Sequence, residues 1–278
     1  MKEFNGLVIY NPSGQAGEYS YWAANFYVGC SNGCTYCYLK KGRGKKVLGG
    51  DTAELKKTLK NEIYAMQMFQ AELMANKEEL QKCGLFFSFT TDPLLTETIG
   101  LTVLAIDFCQ KHKVPVKLLS KCAEGMEAII KISESSGWDV AKIAIGATLT
   151  GCDELEPKAS PNQYRVVALQ RAKNHGFRTF ASVEPIPVDS FHRALAVIKL
   201  AYPWTDLFKI GLESGAKYPK REIDLFYNAV TTFWETIKPA ARIYWKDRFL
   251  KAAKIEREEL PGYCVERNFN IFGYGTKI

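Results

Sequence analysis

Cys30, Cys34 and Cys37 stand in the stretch Gly29-Cys30-Ser31-Asn32-Gly33-Cys34-Thr35-Tyr36-Cys37-Tyr38, spaced C-x3-C-x2-C, with the aromatic Tyr36 just before the third cysteine. Thiolates this close together on a loop can grip three corners of one iron–sulfur cube. A [4Fe–4S] cluster has four irons, normally all held by protein thiolates, and here the fourth position has no nearby partner. An open position on a bound metal marks a site that does chemistry rather than one that staples a fold. A zinc site would need a fourth ligand, usually from a second C-x2-C or H-x3-H pair. No such pair exists, which leaves lone Cys83, Cys122 or His112 for that reading. The ferredoxin spacing C-x2-C-x2-C-x3-C is absent.

With Tyr36 included, the spacing resembles the signature of radical S-adenosylmethionine (radical SAM) enzymes. The resemblance implies that Cys30, Cys34 and Cys37 ligate the cluster and that its open iron chelates the amino and carboxylate groups of SAM. It places Tyr36 near the adenine. It also implies the reaction: the reduced cluster passes an electron to the sulfonium, and the resulting 5′-deoxyadenosyl radical takes a hydrogen atom from the substrate. Single-electron transfer implies a low-potential, flavodoxin- or ferredoxin-like partner.

The bulk composition sets the frame. At 278 residues, 47% apolar and 24% charged, the sequence reads as a globular protein with a sizeable core. Lys2-Glu3-Phe4-Asn5 after Met1 is no apolar export signal, and no apolar run approaches the ~18 residues that span a bilayer. Eight cysteines without an export signal point to a reducing cytoplasm, where thiols serve metals rather than disulfides. The other five, Cys83, Cys109, Cys122, Cys152 and Cys264, are scattered and read as core or idle thiols. A net charge of +7 permits a polyanionic partner without demanding one. The densest positive run, Lys40-Lys41-Gly42-Arg43-Gly44-Lys45-Lys46, directly follows the cysteine loop. It reads either as a solvated surface loop or as a phosphate-contacting loop beside the site.

The elements that must position these residues alternate along the chain. After an irregular lead-in over 1–25, Asn25-Phe26-Tyr27-Val28 reads as a strand entering the cysteine loop. Asp51, with Glu54 three residues on, reads as the cap of a helix running to about Lys82, with an interruption allowed. Strands are expected at 85–90, 114–119, 142–149, 178–183, 207–212 and 242–245. Helices are expected at 96–113, 125–135, 162–175, 189–201 and 221–237, with a short charged helix in the tail from Lys251. Strands alternating with helices of ten or more residues form βαβ units and a parallel sheet, and six or seven such units favour a barrel or partial barrel. In such barrels the chemistry sits at the C-terminal ends of the strands, the end where the cysteine loop falls. The resemblance implies a partial (β/α)6 TIM-type barrel. The expected organisation is a lead-in (1–25), a core (26–215) and a C-terminal extension on the substrate side (216–278).

Position then nominates contacts. Ser88, Thr90, Thr91 and Asp92 follow the second strand and could hold an ammonium group such as that of methionine; Asp92 could equally cap a turn. Lys121, after Ser120 at the third strand end, suits a carboxylate. Thr148 ends the fourth. Glu184 ends the fifth, where it could meet ribose hydroxyls, act on substrate or form a structural salt bridge. Lys209 and Glu213 flank the sixth and Trp245-Lys246-Asp247 ends the seventh. Glu184 and Glu213 are the candidate catalytic carboxylates, and Tyr36, Ser88, Thr90, Asp92, Lys121 and Thr148 the candidate cofactor contacts.

Phe87-Ser88-Phe89-Thr90-Thr91-Asp92-Pro93, Leu119-Ser120-Lys121, Ala147-Thr148-Leu149 and Glu156-Pro157-Lys158-Ala159-Ser160-Pro161 with Arg165 run in the order found in the spore photoproduct lyase-like branch. The similarity spans roughly Tyr27 to Glu213. One departure matters: the lyase proper has a radical-quenching cysteine just before its Thr/Ser-Asp pair, where this chain has Phe89. The basic loop, the net charge and the branch resemblance favour a nucleic acid or nucleotide substrate. The rivals are a peptide- or protein-modifying enzyme, and a non-catalytic iron–sulfur protein that binds nucleic acid or regulates.

Overall fold

The computed structural model describes residues 3–41 and 44–273; Gly42 and Arg43 of the basic run, and residues 274–278, lie outside the described residues. The strands are β1 (Ile9–Tyr10), β2 (Ala23–Ala24), β3 (Tyr27–Val28), β4 (Glu54–Leu55) and β5 (Leu85–Phe87). They continue as β6 (Val116–Ser120), β7 (Ile143–Thr148), β8 (Arg178–Ile186), β9 (Leu207–Leu212) and β10 (Arg242–Trp245). The helices are α1 (Lys45–Leu48), α2 (Glu62–Ala75), α3 (Lys77–Cys83), α4 (Ile99–Lys111) and α5 (Ala123–Ser136). Then come α6 (Asn162–Asn174), α7 (Phe191–Ala201), α8 (Lys220–Ile237) and α9 (Asp247–Ala253).

Eight strands form one sheet in the order β1-β2-β5-β6-β7-β8-β9-β10, while β3 and β4 make a separate antiparallel ribbon. Only β1 runs antiparallel; from β2 to β10 every pairing in the large sheet is parallel. The sheet is not closed, and the architecture is the expected partial TIM-type barrel. Its strands come from the lead-in (β1, β2) and from beyond residue 215 (β10) as well as from between them.

Alternation along each strand divides the core. Leu85, Val116, Leu118, Ile143, Ile145, Ala181, Phe208, Ile210 and Trp245 belong to the large cluster that includes the covering helices. The intervening residues Phe86, Ala144, Phe180, Leu207 and Tyr244 form a second cluster with Ala23 and Ile271, which fills the concave side. Because strands buried on both faces read as near-continuous apolar runs, the sequence marks β6 to β9 well. Gly146 faces the same concavity; a Cβ there would come within 2.3 Å of the Phe180 ring, so its lack of a side chain makes the space that ring occupies.

Two expectations change. The strand expected at 25–28 is not a barrel strand: the barrel takes β2, just before it, and of the expected residues only Tyr27–Val28 are strand, as β3, which pairs with β4. The divider is Asn25, whose amide Nδ2 donates to Tyr10 Oη (2.7 Å) while its Oδ1 accepts from Phe89 N (2.8 Å). These side-chain bonds tie the bend to two neighbouring segments. Likewise Asp51 caps no helix. Glu54 lies in β4, and α2 begins only at Glu62, behind Asn61, whose Oδ1 accepts from Tyr64 N (2.8 Å) as an N-cap does. The allowed interruption falls at Asn76, between α2 and α3.

Candidate active site

The cysteine loop leaves β3 through Gly29, which has φ +79° and whose Cβ, if present, would sit 2.2 Å from the Thr52 carbonyl. Only glycine fits that conformation and that approach. Cys30 N then donates to Gly50 O (3.1 Å), and Cys37 N to Cys34 O (3.3 Å). From the far side, Thr35 N donates to Leu155 O (3.0 Å) and Lys158 N to Asn32 O (3.2 Å), so the segment after β7 clasps the loop. All three cysteines line one pocket, together with Asn32, Gly33, Leu39, Lys40, Leu48 and the backbone of Gly49 and Gly50.

The donor set suits an iron–sulfur cluster. Among the described residues no group of three His, Cys, Asp or Glu side chains is gathered for a single metal ion. The thiols ring a pocket instead, as ligands to separate irons of one cluster do. The described lining contains no fourth thiol and no imidazole. Burial pushes the Cys30 thiol up to about 11, with nearby Asp92 adding to the rise, and burial also raises Cys34. Both are protonated at neutral pH as free thiols, and binding a metal would release those protons.

Asp92 joins the loop to the strand ends. Its Oδ2 accepts from Asn32 Nδ2 (2.8 Å) and Lys121 N (2.8 Å), and its Oδ1 from Ser120 Oγ (2.7 Å) and Leu94 N (3.1 Å). Four donors match the roughly four lone-pair sites of a carboxylate, so the geometry suits a brace better than an ammonium binder. Thr90 is similarly engaged, donating to Tyr27 O (2.6 Å), and Ser88 donates to Thr91 O (2.8 Å). The Thr91 hydroxyl is buried without a partner.

Tyr36 is anchored through its hydroxyl to Glu156. That carboxylate is wholly buried and pairs with the equally buried Arg165 (2.7 Å) and more loosely with Lys121 Nζ (3.7 Å), while Thr150 Oγ1 donates to it (3.3 Å). Arg165 also donates to the carbonyls of Ser160 (2.6 Å) and Thr148 (2.8 Å). Lys121 Nζ lies 5.3 Å from the centre of the Tyr36 ring. Burial works to lower its pKa, but nearby negative charge, Glu156 foremost, outweighs burial and raises it. Tyr36 and Lys121, nominated separately from sequence, thus meet through a carboxylate that position along the strands did not nominate. Thr148 lies on the concave side of β7, and its carbonyl rather than its hydroxyl is what Arg165 engages.

A second polar cluster occupies the concave side. Glu184 Oε2 accepts from Tyr19 Oη (2.8 Å) and pairs with Lys246 (2.6 Å), which also pairs with buried Glu18 (3.3 Å). Tyr19 Oη shares a hydrogen bond with Ser182 Oγ (2.6 Å). Glu18 in turn accepts from Tyr244 Oη (3.0 Å) and Asp247 N (2.8 Å). Lys209 donates to Glu18 O (2.6 Å), and burial, with Lys117 and Lys246 nearby, holds its pKa well below the ordinary range. Glu184 therefore sits in the salt bridge that was its alternative reading. Glu213 lies at the mouth, 3.4 Å from Lys41 of the basic run. The participation of residues 18 and 19 had no signal in sequence; that of Lys246 did, since it ends a strand on the inward phase.

No family model matches the chain, and neither does any curated protein. Solved structures do. A cysteine-to-serine mutant of spore photoproduct lyase superposes with a TM-score of 0.65 at 12% identity, over 88% of this chain and 81% of that one. A double mutant of the lyase with bound AdoMet and dinucleoside spore photoproduct gives 0.58 at 13% identity, over 81% and 76%. SuiB of Streptococcus suis bound to S-adenosylmethionine gives 0.57 at 12% identity, over 90% of this chain and 53% of SuiB. Both proteins are radical SAM enzymes. This chain shares their fold. Within that fold the cysteine pocket stands beside the C-terminal ends of β5 and β6, and the clasp from residues 152–158 belongs to the loop after β7. Among the described residues no helix is long and apolar enough to cross a membrane.

Proposed function

We propose that the chain is a cytoplasmic radical SAM enzyme that holds one [4Fe–4S] cluster through Cys30, Cys34 and Cys37. The observation that carries this reading is one pocket shared by three thiols, with no fourth ligand in its described lining, on the radical SAM fold. When bound, the cluster would supply SAM with an electron and so furnish a 5′-deoxyadenosyl radical for hydrogen abstraction. The protein's part is to bind, orient and exclude water. Lys121, only loosely held by Glu156, is the cation free to meet the methionine carboxylate. Tyr36, fixed by Glu156, presents its ring to the adenine. Asp92 and Thr90 keep the cysteine loop in register with the strand ends. The electron comes from a flavodoxin- or ferredoxin-like protein.

The substrate is a nucleic acid or nucleotide. Lys40, Lys41, Lys45 and Lys46 stand beside the cysteine pocket and the mouth, and a lyase neighbour carries a dinucleoside. The reaction is not the lyase's own, because Phe89 replaces the quenching cysteine and is stacked on Phe86 (4.5 Å between centroids).

The test is anaerobic reconstitution with iron and sulfide, reduction, addition of SAM and quantification of 5′-deoxyadenosine, with Cys34→Ala as control. Product from the wild type alone is the expected result, and oligonucleotides or nucleotides should accelerate it. If a cluster assembles but SAM neither alters its spectrum nor is cleaved, the enzyme reading fails. Acceleration by peptides alone would move the substrate to the class SuiB represents, whose structure holds a precursor peptide.

A further inference from the structure

At the opposite end of the barrel from the cysteines lies a cavity lined by Lys82, Lys117, Arg267, Ser20, Asn268 and Asn270, among others, with no acidic residue in its lining. Lys117 is the second residue of β6 and Lys121 follows its end, so at roughly 3.3 Å per residue the cavity lies about 13 Å below the site described above. The cavity has about 80 Å³ of open room, several water molecules' worth, which suits a four-oxygen anion rather than a whole nucleotide.

Its two inner cations are held by neutral groups. Lys117 Nζ donates to Cys83 O (3.1 Å) and to Ser20 Oγ (3.4 Å), and Arg267 Nε to Gly17 O (3.0 Å). Among the described residues neither cation has a carboxylate within ion-pairing distance. The third, Lys82, has only an exposed neighbour one helical turn away, Glu79 at 3.9 Å. Lys117 is held away from water by neutral groups alone, and such an ammonium is costly unless an anion joins it, while exposed Arg267 lines the same cavity. The available groups are all donors or neutral amides: a lysine point charge, an arginine fork, a hydroxyl and two carboxamides. That is the donor set of a phosphate group, which has the charge and the oxygens to engage several at once.

We propose that this cavity is a binding site for a small phosphate, either free or as a terminal monoester with the rest of the molecule outside the mouth. It is independent of the cluster and of the activity proposed above. Burial of Lys117, which lowers its pKa to about 8, agrees with a site whose counter-charge arrives with the ligand.

The test is calorimetric titration of the full chain, purified without oxygen in chloride buffer of fixed ionic strength near neutral pH, with inorganic phosphate, a nucleoside 5′-monophosphate and succinate. One-to-one binding of phosphate is expected, weakened roughly tenfold or more by loss of either charged donor, in Lys117→Met and in Arg267→Gln. Arg267 is exposed, so its variant tests the site even where Lys117→Met fails to fold. Cys34→Ala should bind phosphate as the wild type does. A monophosphate that binds much more tightly than phosphate identifies an esterified ligand, and equal binding a free one. The proposal is overturned if neither phosphate compound binds, if succinate binds as well as they do, if Arg267→Gln leaves affinity unchanged, or if Cys34→Ala abolishes binding.

Discussion

Lys117 and Lys121 lie at the two ends of β6, and their surroundings move their protons in opposite directions. Both are half-buried. At the upper end nearby negative charge, Glu156 foremost, more than offsets burial, and the Lys121 pKa rises. At the lower end no carboxylate among the described residues pairs with the ammonium, and the Lys117 pKa falls to about 8. Burial costs a cation the same kind of energy at either place; what differs is whether the fold supplies the opposite charge or leaves it to be supplied from outside.

The largest effect should come from unbalancing the upper end. Arg165→Met leaves Glu156 with two hydroxyl donors and, among the described residues, only the more distant Lys121 as a cation, and removal of one partner of a buried pair costs about 3–5 kcal/mol. Urea unfolding of the two proteins measures it; a loss below about 1 kcal/mol would mean that Lys121 alone balances the carboxylate. Next, Lys121→Met should raise the dissociation constant for SAM about tenfold or more, by removing a charged hydrogen bond. It should change stability little, because Arg165 still holds Glu156; equilibrium binding to the reconstituted protein checks the first and urea unfolding the second.

At the lower end the sign reverses. The folded pKa of Lys117, about 8, lies below its ordinary 10.5, so between those values the unfolded chain binds the extra proton and stability rises with pH. Below about pH 8, in phosphate-free buffer, Lys117→Met should therefore equal or exceed the wild type. The wild type should then gain on it as the pH climbs through about 9.5. Unfolding curves at both pH values read this directly, and a wild-type advantage at neutral pH that fades with alkali would break the comparison. The smallest effect belongs to the exposed pair at the mouth. Lys41→Ala, which removes the 3.4 Å contact with Glu213, should cost under about 1 kcal/mol of stability. It should lower the salt dependence of oligonucleotide binding by about one charge, measured as the slope of log affinity against log salt.

The legible parts of the sequence were those that physics writes locally. Two-sided burial made β6 through β9 continuous apolar runs, and the close cysteines declared their loop. The split between β2 and β3 was hidden because Phe26-Tyr27-Val28 has strand composition, and only the distant partners of Asn25 turn it. Asp51 and Glu54 had the right spacing for a cap, but Lys40 pairs with the first and β3 pairs with the segment of the second. At the site, residue types pointed to Tyr36 and Lys121. Their link runs through Glu156, and its worth depends on Arg165, nine positions away on α6. The lysine in Val116-Lys117-Leu118 breaks an otherwise apolar strand. That signal was present, though nothing local says what would answer it.

The N-terminal seal of the concave side bears on the order in which the molecule is made. Glu18 meets Tyr244 and Asp247, partners 226 and 229 positions further along the chain. During synthesis the segment around residue 18 must wait until β10 and the start of α9 have emerged before its carboxylate meets these two partners. Closing loops of that length is entropically slow, so the upper rim can assemble around the cysteines while the interior stays wet. The concave side dries only when the segment around residue 18 and β10 find each other.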